Sequence, residues 1–263
     1  MRPFLFAGRW YIESAMNYLF AVERPDYSHL ASGHVFYSLP GHPAFPVRLA
    51  SEIFQRCLAW RRRAGEMAPC TLFDPCCGAG YSLSVIAFLH RTTLREVIGA
   101  DVDIKAVECA RRNLSLLTLE GLERRRAELE ALLARFEKTS HEEALQSVAL
   151  LREQLLAEQS LSPLAAWAFQ VDATSGEALQ ECLAGRAVDV VFSDIPYGQH
   201  SHWASDTPSG SLYAMLEALL VVLTPAGLVA IAADKGVKLA HPRYQRLEQF
   251  QVGKRRIAIL QAR

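Results

Sequence analysis

The sequence carries no excess of charge of either sign, because 28 Lys and Arg residues balance 28 Asp and Glu residues. Overall charge therefore does not indicate a nucleic-acid partner, and any basic surface must be local. The sequence also lacks an apolar run long enough to cross a bilayer. We therefore expect no membrane partner and a cytoplasmic location.

Metal-binding cysteine pairs are also missing. The sequence has six cysteines but no C-x-x-C pair, which disfavours a structural zinc site. Several cysteines lie in apolar stretches, a pattern typical of buried thiols in a reducing compartment. The pair His200 and His202 has no third ligand nearby in the sequence, so we expect no bound metal.

The length of 263 residues suits one large domain that carries an insertion. Residues 1–27 show no clear period and predict an N-terminal segment that is partly disordered or loosely docked. We expect residues 28–263 to form the main domain, which includes the insertion. The sequence does not indicate an oligomeric state, and we favour a monomer.

Strands alternate with helices from Cys70 onward, which predicts an α/β fold with a mostly parallel sheet covered by helices on both faces. The last two strands form an antiparallel hairpin and bring the sheet to seven strands. The predicted strands are Cys70–Asp74, Val97–Asp101, Ala166–Val171, Val188–Ser193, Leu228–Ala232, Gln245–Val252 and Arg256–Gln261.

A stretch rich in Glu, Arg, Leu and Ala interrupts this alternation from Leu119 to Gln159. It has few β-branched residues and predicts two charged helices that break near Lys138 to His141. The simplest interpretation is a helical hairpin inserted at about residues 119–160. Upstream of the first strand, apolar spacing predicts an amphipathic helix over Val47 to Arg62.

A glycine turn follows the first strand, which ends at Asp74 and continues as PCCGAG. Open α/β sheets bind ligands at this edge, and Gly78 and Gly80 let the backbone approach a ligand closely. Leu83 occupies the third glycine position of the NAD-binding motif. The pattern instead resembles methyltransferases, in which this turn faces the amino acid part of S-adenosylmethionine. Cofactor-binding candidates here are Asp74, Cys76, Gly78 and Gly80, although a simple chain reversal is the alternative.

Acidic residues also end the second and third strands. Asp101 can accept hydrogen bonds from both ribose hydroxyls of a nucleoside. Asp103 is a further candidate, although a plain helix N-cap is the favoured interpretation. The resemblance to methyltransferases implies that Asp172, followed by Ala173, accepts a hydrogen bond from the adenine amino group, although an acidic residue in a loop is unremarkable by itself. Their succession at strand ends indicates a bound nucleoside.

The segment SDIPYG ends the fourth strand and holds the catalytic candidates Asp194, Pro196 and Tyr197. It resembles the D-P-P-Y signature of methyltransferases that act on nucleobase nitrogens, with Ile195 in place of the first proline. A carboxylate and backbone carbonyls can bind the protons of a base nitrogen and stabilise developing positive charge. An aromatic ring can stack on an extruded base. The resemblance of this loop to those of enzymes that act on guanine amines implies N2 of guanine as the target, with N1 second.

Substrate-binding candidates flank these motifs. The loop after the fourth strand can present an aromatic ring to RNA, and basic residues near the C-terminus and at Arg61 to Arg63 can bind phosphates. A solvated charged face is the alternative for the basic clusters, and for Arg48 at the start of the amphipathic helix. The candidates are Arg48, Gly198, His200, Trp203, Lys254, Arg255 and Arg256.

Together the motifs resemble the AviRa family of 23S ribosomal RNA methyltransferases, from about Met16 to near the C-terminus. The matching segments are PGHPAFPVRLASEIFQR, DPCCGAGY, ADVD, the charged insertion and DIPYG. The resemblance implies a Rossmann-like seven-stranded methyltransferase fold with S-adenosylmethionine as cofactor. It also implies methylation of a guanosine base in 23S ribosomal RNA or the large ribosomal subunit, and resistance to orthosomycin antibiotics.

The residues alone leave other functions open. A methyltransferase that acts on another RNA, on DNA adenine or on a small molecule fits the same motifs. An NAD-dependent oxidoreductase is disfavoured by Leu83 and by the C-terminal hairpin. A non-catalytic RNA-binding module with a vestigial cofactor site is disfavoured by the intact segment DIPY.

Overall fold

The computed structural model describes residues 18–41, 43–158, 163–195 and 208–263. The helices are α1 (Val47–Arg63), α2 (Tyr81–His90), α3 (Ile104–Ser115), α4 (Leu119–Phe136), α5 (Thr139–Ala157), α6 (Gly176–Cys182) and α7 (Pro208–Leu219). The strands are β1 (Cys70–Asp74), β2 (Leu94–Asp101), β3 (Ala165–Gln170), β4 (Val188–Asp194), β5 (Leu223–Asp234), β6 (Tyr244–Val252) and β7 (Arg255–Ala262).

The seven strands form one sheet in the order β3-β2-β1-β4-β5-β7-β6. Strands β1 to β5 are parallel, whereas β7 runs antiparallel to both β5 and β6. This arrangement confirms the predicted α/β sheet and its C-terminal hairpin. It also places β7 inside the sheet and leaves β6 at the edge.

Apolar side chains fill both faces of the sheet. Leu72 and its neighbour Val190 belong to the core on one face, and Phe73 and Val191 belong to the core on the other. All five residues of β1 are buried. Strands covered on both faces are continuously apolar rather than alternating, as in β1 and β4, which end at Asp74 and Asp194.

The insertion forms the two predicted helices, α4 and α5, which pack against each other. The chain breaks between them at Glu137, which has a φ of 48°. Gly121 lets α4 begin beside the end of α3, because a Cβ there would lie 1.9 Å from the Ser115 carbonyl oxygen. Arg125 ties α4 to the domain by donating to the carbonyls of His34 and Val35, both at 2.8 Å.

The N-terminal segment is attached to α1 through the buried carboxylate of Glu52. Its oxygens accept hydrogen bonds from three consecutive backbone N–H groups, those of Leu19, Phe20 and Ala21, at 2.7 to 2.9 Å. Arg56 donates to the same carboxylate at 2.7 Å. Burial acts to raise the pKa of Glu52, but these hydrogen bonds outweigh burial and lower it. The described part of this segment is therefore hydrogen-bonded to α1 through residues 19–21, while residues 1–17 lie outside the described residues.

Two kinds of feature are absent from the described part of the chain. No helix there is both long and apolar enough to cross a membrane. Within the same residues, no three His, Cys, Asp or Glu side chains are grouped as a metal site would require.

Candidate active site

Four carboxylates lie at the carboxyl ends of parallel strands, at one edge of the sheet. Asp74, Asp101 and Asp194 end β1, β2 and β4, and Asp172 follows β3. The strands are hydrogen-bonded neighbours in the order β3-β2-β1-β4. The parallel topology therefore gathers candidates that are widely separated in the sequence, as open α/β sheets do at ligand sites.

The glycine turn after β1 has the backbone that its sequence predicts. Gly78 and Gly80 have φ values of 52° and 70°, in the left-handed region that favours glycine. A Cβ on Gly80 would lie 2.9 Å from the Cβ of Ala110 in α3. Gly80 therefore packs closely against α3, and Gly78, Ala79 and Gly80 are all buried at the sheet edge.

Asp101 is held in place by backbone donors on both sides. Its Oδ2 accepts a hydrogen bond from Gly78 N at 2.8 Å, and its Oδ1 accepts one from Asp103 N at 3.0 Å. Asp103 caps α3, because its Oδ1 accepts from Lys105 N at 2.9 Å. The carboxylate of Asp101 thus joins the glycine turn to the start of α3 and keeps lone pairs for further donors.

Asp172 is oriented by the turn that follows β3. Its Oδ1 accepts hydrogen bonds from the backbone N and the Oγ1 of Thr174, at 2.9 and 2.7 Å. The next residue, Ala173, is buried in the core. These contacts fix the orientation of the Asp172 carboxylate at the sheet edge.

Burial and mutual repulsion govern the charge of this site. Burial raises the pKa of Asp74 to about 8, and the carboxylates of Asp101 and Asp194 act in the same direction. A hydrogen bond from Cys76 N to Oδ1, at 3.0 Å, opposes this shift. Closely spaced carboxylates of this kind favour a ligand that carries positive charge.

Among the described residues, Arg255 is the only cation that lies beside Asp194. Arg255 Nε lies 3.5 Å from Asp194 Oδ1, and the Arg255 guanidinium lies 5.0 Å from the ring centroid of Phe45. Burial raises the pKa of Asp194, and Arg255 partly offsets this effect. The result is a half-buried carboxylate that is more basic than an exposed aspartate and is fixed by a neighbouring cation.

The departure from the D-P-P-Y pattern has a structural reason. Ile195 is 2% exposed, and its backbone N–H donates to the Ala232 carbonyl at 3.0 Å. A proline has no N–H and would lose this hydrogen bond to β5. Isoleucine therefore extends the pairing of β4 with β5 past Asp194 and packs in the core.

Five of the candidates lie outside the described residues. They are Pro196, Tyr197, Gly198, His200 and Trp203. Their roles in catalysis and substrate binding stay predictions.

The basic candidates have different surroundings from one another. Arg48 donates to the carbonyls of Ala21 and Val22, both at 2.7 Å, and its guanidinium stacks on Tyr18. Arg256 donates to the Val237 carbonyl at 3.2 Å, and Lys254 is exposed. Among the three C-terminal basic candidates, only Arg255 contacts a catalytic candidate within the described residues.

The cluster at the end of α1 does not form a uniform basic surface. Arg61 is 3% exposed and pairs with Asp189 at 3.1 Å. Asp189 is the second residue of β4, at the amino edge of the sheet and opposite the candidate active site. Arg61 is therefore a buried structural cation.

Sequence reasoning missed two residues that shape the site. Phe45 contacts Arg255 and also packs edge-to-face on Phe192 of β4. Asn113, which is fully buried, donates to the Ala79 carbonyl of the glycine turn at 2.8 Å. The segment PAFP marks the position of Phe45, and a lone asparagine on the apolar face of α3 is the signal for Asn113.

Comparison with known proteins gives consistent matches. The model of the rRNA methyltransferase AviRa family matches residues 16–255. A 23S rRNA (guanine(2535)-N(1))-methyltransferase from Streptomyces viridochromogenes is 44% identical over 245 residues, or 93% of this chain and 96% of the relative. Two solved structures of the rRNA methyltransferase AviRa from that organism are 42% identical, with TM-scores of 0.81 and 0.82. Each match covers 92% of this chain and 95% of the solved one. This chain belongs to the AviRa family of rRNA methyltransferases.

Proposed function

We propose that this chain transfers a methyl group from S-adenosylmethionine to N1 of a guanine in 23S ribosomal RNA, as a monomer acting on the RNA or on the large ribosomal subunit. The observation that carries the proposal is the half-buried carboxylate of Asp194 at the end of β4, paired with Arg255 at 3.5 Å. It lies in the strand next to β1 and its glycine turn. A relative that is 44% identical is a 23S rRNA guanine-N1 methyltransferase.

The chemistry of guanine N1 explains why a basic carboxylate belongs here. In the neutral base N1 carries a hydrogen, so its lone pair becomes available to a methyl group only as that proton leaves. Burial makes Asp194 a stronger base than an exposed aspartate, and Arg255 keeps it ionised and oriented. Asp194 accepts the N1 proton as the new N–C bond forms, which is general-base catalysis.

The proposed target atom corrects the order that the sequence alone favours. The D-P-P-Y resemblance puts the exocyclic N2 first and the ring N1 second, whereas the relative named above acts on N1. The exocyclic N2 carries two hydrogens and still bears one after methylation. N1 carries a single proton, which it must lose when it is methylated. A single carboxylate with a raised pKa suits N1.

The residues that would hold the cofactor lie along the sheet edge. The family uses S-adenosylmethionine, which when bound supplies an electrophilic methyl group on a positively charged sulfur. The clustered carboxylates suit this cation and the ammonium of its amino acid part. Asp101 is placed to accept from the ribose hydroxyls, Asp172 from the adenine amino group, and Asp74 with the glycine turn would face the amino acid part.

Replacing Asp101 by alanine should weaken S-adenosylmethionine binding by about 1–3 kcal/mol, the range for a hydrogen bond to a charged group. Titration calorimetry measures this affinity directly. Asp103→Ala is a matched control, because Asp103 caps α3 two residues away and makes no contact with the glycine turn through its side chain. Equal losses of affinity in both variants would remove the specific role of Asp101.

The proposed reaction is tested by incubating the protein with methyl-labelled S-adenosylmethionine and 23S ribosomal RNA, large subunits, DNA or a small-molecule extract. We expect label in 1-methylguanosine from 23S RNA, identified by mass spectrometry of the nucleosides. Label on N2, on ribose oxygens or outside RNA would overturn the proposal as stated. Following the family resemblance, we further propose that expression in a susceptible bacterium raises its resistance to orthosomycins.

A further inference from the structure

A cavity of about 420 Å³ opens beside the cofactor-binding edge, between residues 33–39, α3 and α4. It falls within the range of about 300–1,000 Å³ typical of ligand pockets. Three cations and one carboxylate line it, although the whole chain has no net charge. The lining includes Tyr37 and the charged residues Lys105, Glu108, Arg112 and Arg125.

The cavity contains a cationic platform built on Tyr37. The guanidinium carbon of Arg112 lies 3.7 Å from the Tyr37 ring centroid, and that of Arg125 lies 4.3 Å away. Glu128 accepts hydrogen bonds from Tyr37 Oη at 2.8 Å and from Arg125 at 3.0 Å. It also lies 3.4 Å from Arg112. The planar groups are therefore held in position before any ligand arrives.

The two arginines of the platform have different contacts and different roles. Arg125 is 10% exposed and donates to the backbone of His34 and Val35, so it fastens the insertion to the domain. Arg112 is 56% exposed, and neither backbone contact depends on it. If the platform only attached the insertion to the domain, Arg125 would be sufficient. The exposed guanidinium of Arg112 would not need to stack on Tyr37.

The platform is joined to the cofactor-binding turn through one buried side chain. Asn113 accepts from Tyr37 N at 2.8 Å, and it donates to the carbonyls of Tyr37 at 2.9 Å and Ala79 at 2.8 Å. Lys105 lies in the first turn of α3, just after the Asp101–Asp103 segment. The cavity therefore adjoins the proposed cofactor site.

We propose that this cavity binds one unpaired nucleotide of the RNA substrate outside the methylated base, with its base on the Arg112 guanidinium and its phosphate near Lys105. Stacking on arginine planes is a common way to hold splayed bases of single-stranded RNA. A lysine supplies the charge for a phosphate. The inference rests on the proposed function and adds an RNA contact that comes from the insertion side of the molecule.

The test compares binding of a 23S RNA fragment to Arg112→Ala, Arg112→Lys, Lys105→Ala and the control Arg124→Ala. Arg124 is an exposed arginine of α4, is paired with Glu120 and is not part of the cavity lining. We expect about 5- to 150-fold weaker binding for Arg112→Ala, since stacking of a base is worth ~1–3 kcal/mol. Arg112→Lys should restore little, because lysine keeps the charge without the plane. Lys105→Ala should reduce the slope of log affinity against log salt by about 0.7 to 0.9.

A methylation assay of the wild-type protein, run beside the binding assay, separates failure of this site from failure of the proposed function. If the wild-type protein methylates 23S RNA while Arg112→Ala and Arg112→Lys bind it as Arg124→Ala does, the cavity is not an RNA site. If Arg112→Lys binds as the wild type does, the contact is charge alone and the stacking proposal is wrong. Absence of methylation of RNA by the wild-type protein would overturn the proposed function itself. Calorimetry with S-adenosylmethionine should give unchanged affinity for every variant and so report correct folding.

Discussion

Asp194→Asn should slow single-turnover methylation of 23S RNA by about 10²- to 10⁴-fold, the range that a positioned general base contributes. Asparagine has nearly the same shape as aspartate but cannot take up the N1 proton of guanine. S-adenosylmethionine should still bind this variant, because the residues proposed to hold the cofactor, Asp74, Asp101 and Asp172, are unchanged. A single-turnover rate with saturating cofactor isolates the chemical step from binding.

The dependence of this rate on pH adds a test of Arg255. Burial raises the pKa of Asp194 and Arg255 lowers it, so activity should fall as the pH drops through a pKa above that of an ordinary aspartate. Arg255→Ala removes the lowering influence and should move this acidic limb to higher pH. Arg255→Lys should leave it closer to the wild-type position. An acidic limb that stays in place in Arg255→Ala, or a near-normal rate for Asp194→Asn, would contradict the proposed role of the pair.

Glu52→Gln should lower the free energy of unfolding by about 3–5 kcal/mol, the usual cost of removing one partner of a buried ion pair. Glutamine also has a single amide oxygen to accept from the three N–H groups of residues 19–21, all of which donate to the Glu52 carboxylate. Urea unfolding followed by circular dichroism measures the change. Since the pKa of Glu52 is lowered in the folded state, its contribution is present above the ordinary value of 4.5 and is lost as the pH falls through the lower folded value.

Glu120→Gln is the matched control for Glu52. Glu120 also pairs with an arginine four residues later on a helix, but its side chain is 84% exposed, whereas that of Glu52 is 0% exposed. Exposed pairs of this kind contribute about 0.2–1 kcal/mol. Similar losses of stability in the two variants would mean that burial of the Glu52 carboxylate does not determine its contribution to the free energy of unfolding.

Much of the fold was predictable because the hydrophobic pattern of buried parallel strands is strong and local. The pattern placed β1 at Cys70–Asp74 without error. It placed β5 at Leu228, whereas the strand begins at Leu223. The segment after Leu223 contains Pro225 and Gly227, which are typical of turns, and only pairing of Leu223 with Val188 across the sheet makes it a strand.

The candidate site was predictable where a residue type has a fixed place at a strand end, as with Asp101 and Asp194. The partner of Asp194 was not, because Lys254, Arg255 and Arg256 are equivalent in sequence. The register of the strand pairing decides which of these three residues lies beside Asp194. Asp194 pairs with Ala232 of β5, and β5 places Asp234 opposite Arg255 of β7. Two strand pairings therefore bring one basic residue of three to the carboxylate.

The position of β6 at the edge of the sheet has a consequence for aggregation. An exposed strand edge is a template for pairing with other chains, and charged or polar side chains counter this risk. β6 carries Arg246, Glu248 and Gln249 along its length. β7 carries four consecutive buried apolar residues from Ile257 to Leu260. The hairpin folds back so that the apolar strand β7 is paired on both sides, with β5 and β6. The polar strand β6 forms the exposed edge, and its charged and polar side chains disfavour pairing with strands of other molecules.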